Sequence, residues 1–110
     1  MAKALIIKTD GTHEVKEFNA GESYDTISKG VGGWIELVQL PKLNVDMWVN
    51  EEGKLKGLGY NFFGTILWEM QYGLTEMIVG DIVLTGGVDD EGDTLGLSEE
   101  TLQKFLMLIS

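Results

Sequence analysis

The sequence predicts a compact α+β domain, mainly antiparallel sheet with about three helices, and three observations carry that expectation. An Asp-Gly pair at 10–11 sits between two β-rich runs, the strongest short-range signal for a hairpin. Two later segments, 61–73 and 98–110, repeat apolar residues at the helical period and open on Asn61 and Ser98, both good N-cap residues. At 110 residues the chain is long enough to enclose one core and too short for two, so 1–110 is read as one domain.

The elements follow in order. ALIIK (4–8) and THEVKEF (12–18) form the opening hairpin around TDGT. ESYDTISKGVGG places Tyr24, Ile27 and Val31 at helical spacing, and glycines 30, 32 and 33 end that helix. GWIELVQL (33–40) is rich in β-formers and is stopped by Pro41. NVDMWVNEEGKLKG reads as a strand, a Glu-Glu-Gly turn and a short return strand. In the strand, alternation puts Val45, Met47 and Val49 on one face and Asp46, Trp48 and Asn50 on the other. NFFGTILWEMQYG is a helix whose stripe is Phe62, Phe63, Ile66, Leu67 and Met70, stopped by Gly73. Gly64 costs that helix about 1 kcal/mol relative to alanine and marks close packing against a strand. EMIVGDIVLTGG (76–87) is a buried strand, bulged at GDxxL. SEETLQKFLMLIS closes the chain as a helix with Glu99 and Glu100 in its first turn, where the helix dipole favours them, and a stripe of Leu102, Phe105, Leu106 and Ile109. Met107 and Leu108 widen its apolar surface beyond one stripe, through core packing or a subunit contact.

Composition excludes several functions. Apolar residues are 44% and charged residues 24%, with no apolar run near the roughly 20 residues that span a bilayer, so no membrane is expected. The N-terminus lacks the pattern of a secretory signal, which predicts a cytoplasmic protein. With no cysteine, disulfides, thiolate metal sites and cysteine nucleophiles are absent together. Eighteen acids face eight bases, all lysines, for a net charge of -10. Such a chain repels a phosphate backbone, so no direct nucleic-acid binding is expected. The acidity serves solubility in the plain reading and mimicry of nucleic acid in the sharper one.

No catalytic or metal motif stands out. His13 is the only histidine and lies on a hairpin strand, where a triad partner is not indicated. Glu36, Asp46, Glu51 and Asp81 are carboxylates without a spacing that fixes two at working distance. DDEGDT (89–94) has part of a calcium-loop pattern but not its alternating ligands or its terminal glutamate, and reads as a solvated turn. No cofactor, metal or catalytic residue is therefore assigned, and the protein is read as a non-enzyme.

The richest segment is VNEEGKLKGLGYN (49–61). Lys54 and Lys56 precede Gly57, Gly59 and the helix start at Asn61, an arrangement in which free backbone N–H groups favour an anion and glycines let it approach. It is not a Walker loop, because glycines and lysine stand in the wrong order. Trp34, Trp48 and Tyr60 could stack on bases, and Asn50 and Asn61 could read base edges.

GGWIELVQL, DMWVNEEGKLKGL, the Asn61 that opens FFGTILW, and IVGDIVL together resemble the family catalogued as domain of unknown function 3846, small proteins of phages and bacteria. The likeness runs from KALIIK through the late strand, with departures at Tyr60, Phe62, Phe63 and Gly64. It implies a phage or mobile-element origin and confers no activity of its own. With the Lys/Gly/aromatic cluster it leads to the expected function: a phage-encoded, non-enzymatic nucleotide-binding sponge that sequesters a cyclic nucleotide signal of bacterial antiphage defence. The ligand residues would be Trp34, Trp48, Asn50, Lys54, Lys56, Gly57, Gly59, Tyr60 and Asn61, in a homo-oligomer. The alternative is an acidic phage protein that binds and inhibits a host protein. An enzyme acting on a nucleotide through carboxylates ranks third.

Overall fold

The computed structural model describes residues 1–109. Five strands form one sheet in the order β2-β1-β5-β4-β3, with every neighbouring pair antiparallel. The strands are β1 (Ala2–Ile7), β2 (His13–Phe18), β3 (Ile35–Leu40), β4 (Val45–Asn50) and β5 (Ile82–Thr85), and the helices are α1 (Ser23–Val31), α2 (Phe62–Tyr72) and α3 (Glu99–Ile109). This is the α+β class that the sequence predicts.

The Asp10-Gly11 turn closes β1 onto β2, with the Asp10 carboxylate accepting from the Thr12 amide and hydroxyl. These bonds hold the Asp10 carboxyl below its ordinary value. Helix α1 then crosses the sheet and ends at Gly32, whose φ of +79° lets its amide reach the Ser28 carbonyl. Strands β3 and β4 pair over six residues around Pro41–Leu43, where Asn44 takes a left-handed φ of 58°.

Both faces of the sheet are covered. On one, Ala4, Ile6 and Val83 pack with Phe18 and with Ile27 and Val31 of α1. On the other, Leu5, Ile7, Met47, Ile82 and Leu84 pack with Leu67 of α2 and with Leu102 and Phe105 of α3. Double coverage explains why ALII and IVL are unbroken apolar runs instead of alternating ones. The alternation expected in β4 holds: Val45, Met47 and Val49 join the core beneath α2 and α3, and Trp48 packs on the α1 side.

Three local expectations need correction. The segment after β4 is not a hairpin with a return strand. Residues 51–57 wind as consecutive turns, with the Lys56 amide on the Glu52 carbonyl and the Leu58 amide on the Gly53 carbonyl. Strand β5 is four residues long instead of most of 76–87, because Gly80 adopts φ +81° and Asp81 turns its carboxylate to the Thr9 amide at 3.0 Å. The buried positions of α2 are Gly64, Thr65 and Leu67, while Phe62 and Met70 face solvent. The chain approaches the sheet through its smallest residues, which turns the helix away from the face that hydrophobicity alone selects.

Gly64 does mark close packing. A Cβ there would lie 2.9 Å from Cγ2 of Ile78 and 3.3 Å from Cδ1 of Ile82. Gly64→Ala is therefore expected to destabilise by about 1 kcal/mol or more, since overpacking of 1–3 kcal/mol outweighs the helix-propensity gain of about 1 kcal/mol. Urea denaturation measures it, and an increase in stability would refute the close approach.

Candidate functional site

The Lys/Gly segment lies at the end of β4 and faces the stretch that follows α2. Its turns are docked by Gly53, where a Cβ would sit 2.9 Å from Cγ2 of Val79, and Gly57 takes φ +66° to lead the chain out. Gly59 and Tyr60 then run antiparallel to Val79 and Gly80, with the Gly80 amide donating to the Gly59 carbonyl at 2.7 Å.

Two of the nine residues expected to bind ligand are used instead by the fold through both ends of the side-chain amide. Asn50 is buried, donates to the Val31 carbonyl at 3.2 Å and accepts from the Glu52 amide at 2.9 Å, tying the end of α1 to the loop. Asn61 is buried deeper. Its Nδ2 donates to the carbonyls of Ile7 and Gly80, each at 3.0 Å, and its Oδ1 accepts from the Gly64 amide at 2.9 Å. Both amide hydrogens of Asn61 are used within the fold while Asn50 keeps one, and the start of α2 carries its own cap where an open anion seat is expected. Trp48 is half-buried and donates its indole N–H to the Thr85 hydroxyl at 2.8 Å. Trp34 is exposed and contributes its carbonyl to the Glu51 amide.

The lysines are paired. Lys56 meets Glu52 at 3.5 Å, and Lys54 forms an ion pair with Glu76. The hydrogen bond from Lys54, with a second from the Met77 amide, holds the Glu76 carboxyl below its ordinary value.

The Lys54–Glu76 pair divides two adjoining clefts. One, of about 220 Å³, is lined by Glu36, Glu51, Asn50, Val38, Leu55 and Trp68. The other, of about 700 Å³ and more open, is lined by Tyr60, Thr65, Glu69, Leu74 and Thr75. Both share Lys54, Glu76, Met77 and Val79. Lys54 is the only base among these linings, against Glu36, Glu51, Glu69 and Glu76, so the potential there is negative. Around the clefts stand Leu55, 89% exposed, Leu74, 85% exposed, and Met77.

Of the nine expected residues, Lys54, Tyr60 and Asn50 thus border the clefts; Trp34, Trp48, Lys56, Gly57, Gly59 and Asn61 do not. Sequence reasoning passed over Leu74, which fell between the expected helix and strand, and over Glu76 and Met77, which were absorbed into the expected strand 76–87. The available signal was Leu and Met lying between two glycines, Gly73 and Gly80, each with φ near +81°.

The profile of a domain of unknown function, DUF3846, matches residues 1–110. The chain belongs to the DUF3846 family. No curated protein and no solved structure shows significant similarity to it. In this DUF3846 chain the acidic run at 89–93 is bonded to itself. Asp89 accepts from the Glu91 and Asp93 amides, so DDEGD is a self-bonded turn with Gly92 at φ +84°. Among the described residues no three His, Cys, Asp or Glu side chains lie where they could hold a metal ion, and no helix is long and apolar enough to cross a membrane.

Proposed function

We propose that this protein works without catalysis, as an acidic binding protein that occupies and inhibits a partner protein through the surface around the Lys54–Glu76 pair. The observation that carries this reading is the combination of Leu55, Leu74 and Met77 standing out of the fold beside Glu36, Glu51, Glu69 and Glu76. Clustered exposed apolar side chains with a polar rim favour association, and the carboxylates steer a basic surface towards them. The matching partner has an apolar centre and lysines or arginines around it. In the phage setting that the family resemblance implies, it is a host protein. Self-association is assigned to α3, where Met107 and Leu108 are exposed.

The nucleotide-sponge reading has one observation in its favour: Tyr60 and Lys54 border the same cleft of about 700 Å³, within the size range of small-ligand sites. Glu69 and Glu76 against one lysine in that cleft, with Glu36 and Glu51 in the adjoining one, oppose it, since a cyclic nucleotide brings phosphate charge.

One comparison separates the two. A host protein that co-purifies at 1:1 stoichiometry is reconstituted from pure components and titrated at rising salt. Leu55→Glu with Leu74→Glu is expected to weaken the complex at least about tenfold, given that an anchoring side chain contributes about 2 kcal/mol. Unchanged affinity overturns the assignment of the surface. A thermal shift with cyclic di- or trinucleotides or ADP-ribose derivatives that Lys54→Ala abolishes puts the sponge in its place.

A further inference from the structure

Asp46 takes no part in the acidic clefts. It shares a face of β4 with Trp48 and Asn50, whereas Glu36, Val38 and Val49 lie on the opposite face of the sheet, beside α2. Its cross-strand neighbours are Gln39 on β3 and Thr85 on β5.

This residue is 7% exposed, yet among the described residues its carboxylate has no ion pair and no hydrogen-bond donor. It borders a cleft of about 310 Å³ together with Gln39, Pro41, Asn44, Gly86 and Gly87. Burial pushes its carboxyl above the ordinary value, and no neighbouring charge or hydrogen bond offsets that. No buried side-chain oxygen is left without a partner among the described residues, so the unpaired Asp46 carboxylate meets solvent through this cleft instead of lying sealed in the core. Several other acids are held within the fold: Asp10 by Thr12, Asp81 by Thr9, Glu76 by Lys54 and Asp89 by its own turn. Asp46 differs from the more exposed Glu36, Glu51 and Glu69 of the other clefts in that the residue is nearly buried while its carboxylate has no partner among the described residues.

We propose that this cleft binds a guanidinium group from outside the chain, with Asp46 as its counter-ion. Two carboxylate oxygens accept a planar guanidinium in bidentate fashion, and the side-chain carbonyl of Gln39 offers a third acceptor. Gly86 and Gly87 expose bare backbone and Pro41 adds apolar surface, which suits a flat, weakly hydrated cation better than a compact, strongly hydrated ammonium. One carboxylate and the two side-chain amides of Gln39 and Asn44 are too few ligands for a hard metal cation. The site is independent of the partner surface around Lys54.

The test is a titration of the isotope-labelled protein with N-acetyl-arginine methylamide, followed by amide NMR. Shifts are expected at Gly86, Gly87 and the Gln39 side chain. The neutral citrulline analogue gives none, and Asp46→Asn weakens binding at least about tenfold. Methylguanidinium separates the sources: equal affinity points to a small guanidine compound, and tighter binding of the capped residue to an arginine of a peptide or protein. The absence of shifts up to about 50 mM overturns the proposal. Equal or stronger shifts with the lysine analogue or with calcium chloride overturn the guanidinium assignment. A second readout guards against a merely structural role. Without ligand, Asp46→Asn should unfold at the same or higher urea concentration than the parent, and a lower midpoint assigns the carboxylate to the fold and removes the site.

Discussion

Replacing Asn61 with alanine is expected to remove about 3 kcal/mol or more of folding stability, a fall in Tm of more than about 10 °C for a domain of this size. The side chain is 1% exposed and makes three bonds to groups far apart in sequence: the end of β1 at Ile7, the turn before β5 at Gly80, and the first turn of α2 at Gly64. Loss of an ordinary cap costs about 1 kcal/mol. Here two carbonyls and one amide lose a buried partner together, at about 1–3 kcal/mol for each group that stays unsatisfied. Asn61→Asp distinguishes this role from capping alone. Aspartate caps a helix as well as asparagine does, but it cannot donate to Ile7 and Gly80 and would set a negative charge against their oxygens. It should therefore be destabilised nearly as much as the alanine variant. Urea denaturation of both decides the matter, and an Asp variant as stable as the parent would reduce Asn61 to a cap.

Gly86→Ala is expected to cost about 3 kcal/mol, at the upper end of what overpacking usually costs. A Cβ at Gly86 would stand 2.1 Å from the Gly96 carbonyl oxygen, so backbone has to move. The same contact closes the 86–97 loop on the sheet, through the Gly86 amide on the Leu95 carbonyl and the Leu97 amide on the Lys3 carbonyl. Gly87→Ala is the control. It meets nothing within 4 Å and pays only for φ +100°, about 1 kcal/mol. A Gly86→Ala variant no less stable than Gly87→Ala would contradict the packing of this loop.

What was legible in the sequence rested on signals that are local and short. Asp10-Gly11 specified its hairpin because the turn geometry and the flanking β-formers agree within a few residues. Ser98 with Glu99 and Glu100 specified the start of α3, and the Ser98 hydroxyl accepts from the Thr101 amide at 3.1 Å. Asn61 was legible as a cap, but its bonds to Ile7 and Gly80 span 54 and 19 residues and leave no trace in spacing. The clefts were harder still. Lys54 and Tyr60 were found through the glycines around them, whereas Glu76 reaches Lys54 across 22 residues of sequence.

The sequence by itself determined the class, the opening hairpin, the three helices and the strong negative charge, because periodicity, turn chemistry and composition act over neighbouring residues. Tertiary structure alone decided which residues are free. Close approach at Gly64 set the face that α2 buries, and β5 is short because Gly80 and Asp81 turn the chain before it. Asn50 and Asn61 became bonds within the fold, while the Asp46 carboxylate was left at a cleft without a partner among the described residues. A polar side chain is available to a ligand only after the backbone and its neighbours have taken what they need, and those neighbours come from distant parts of the chain.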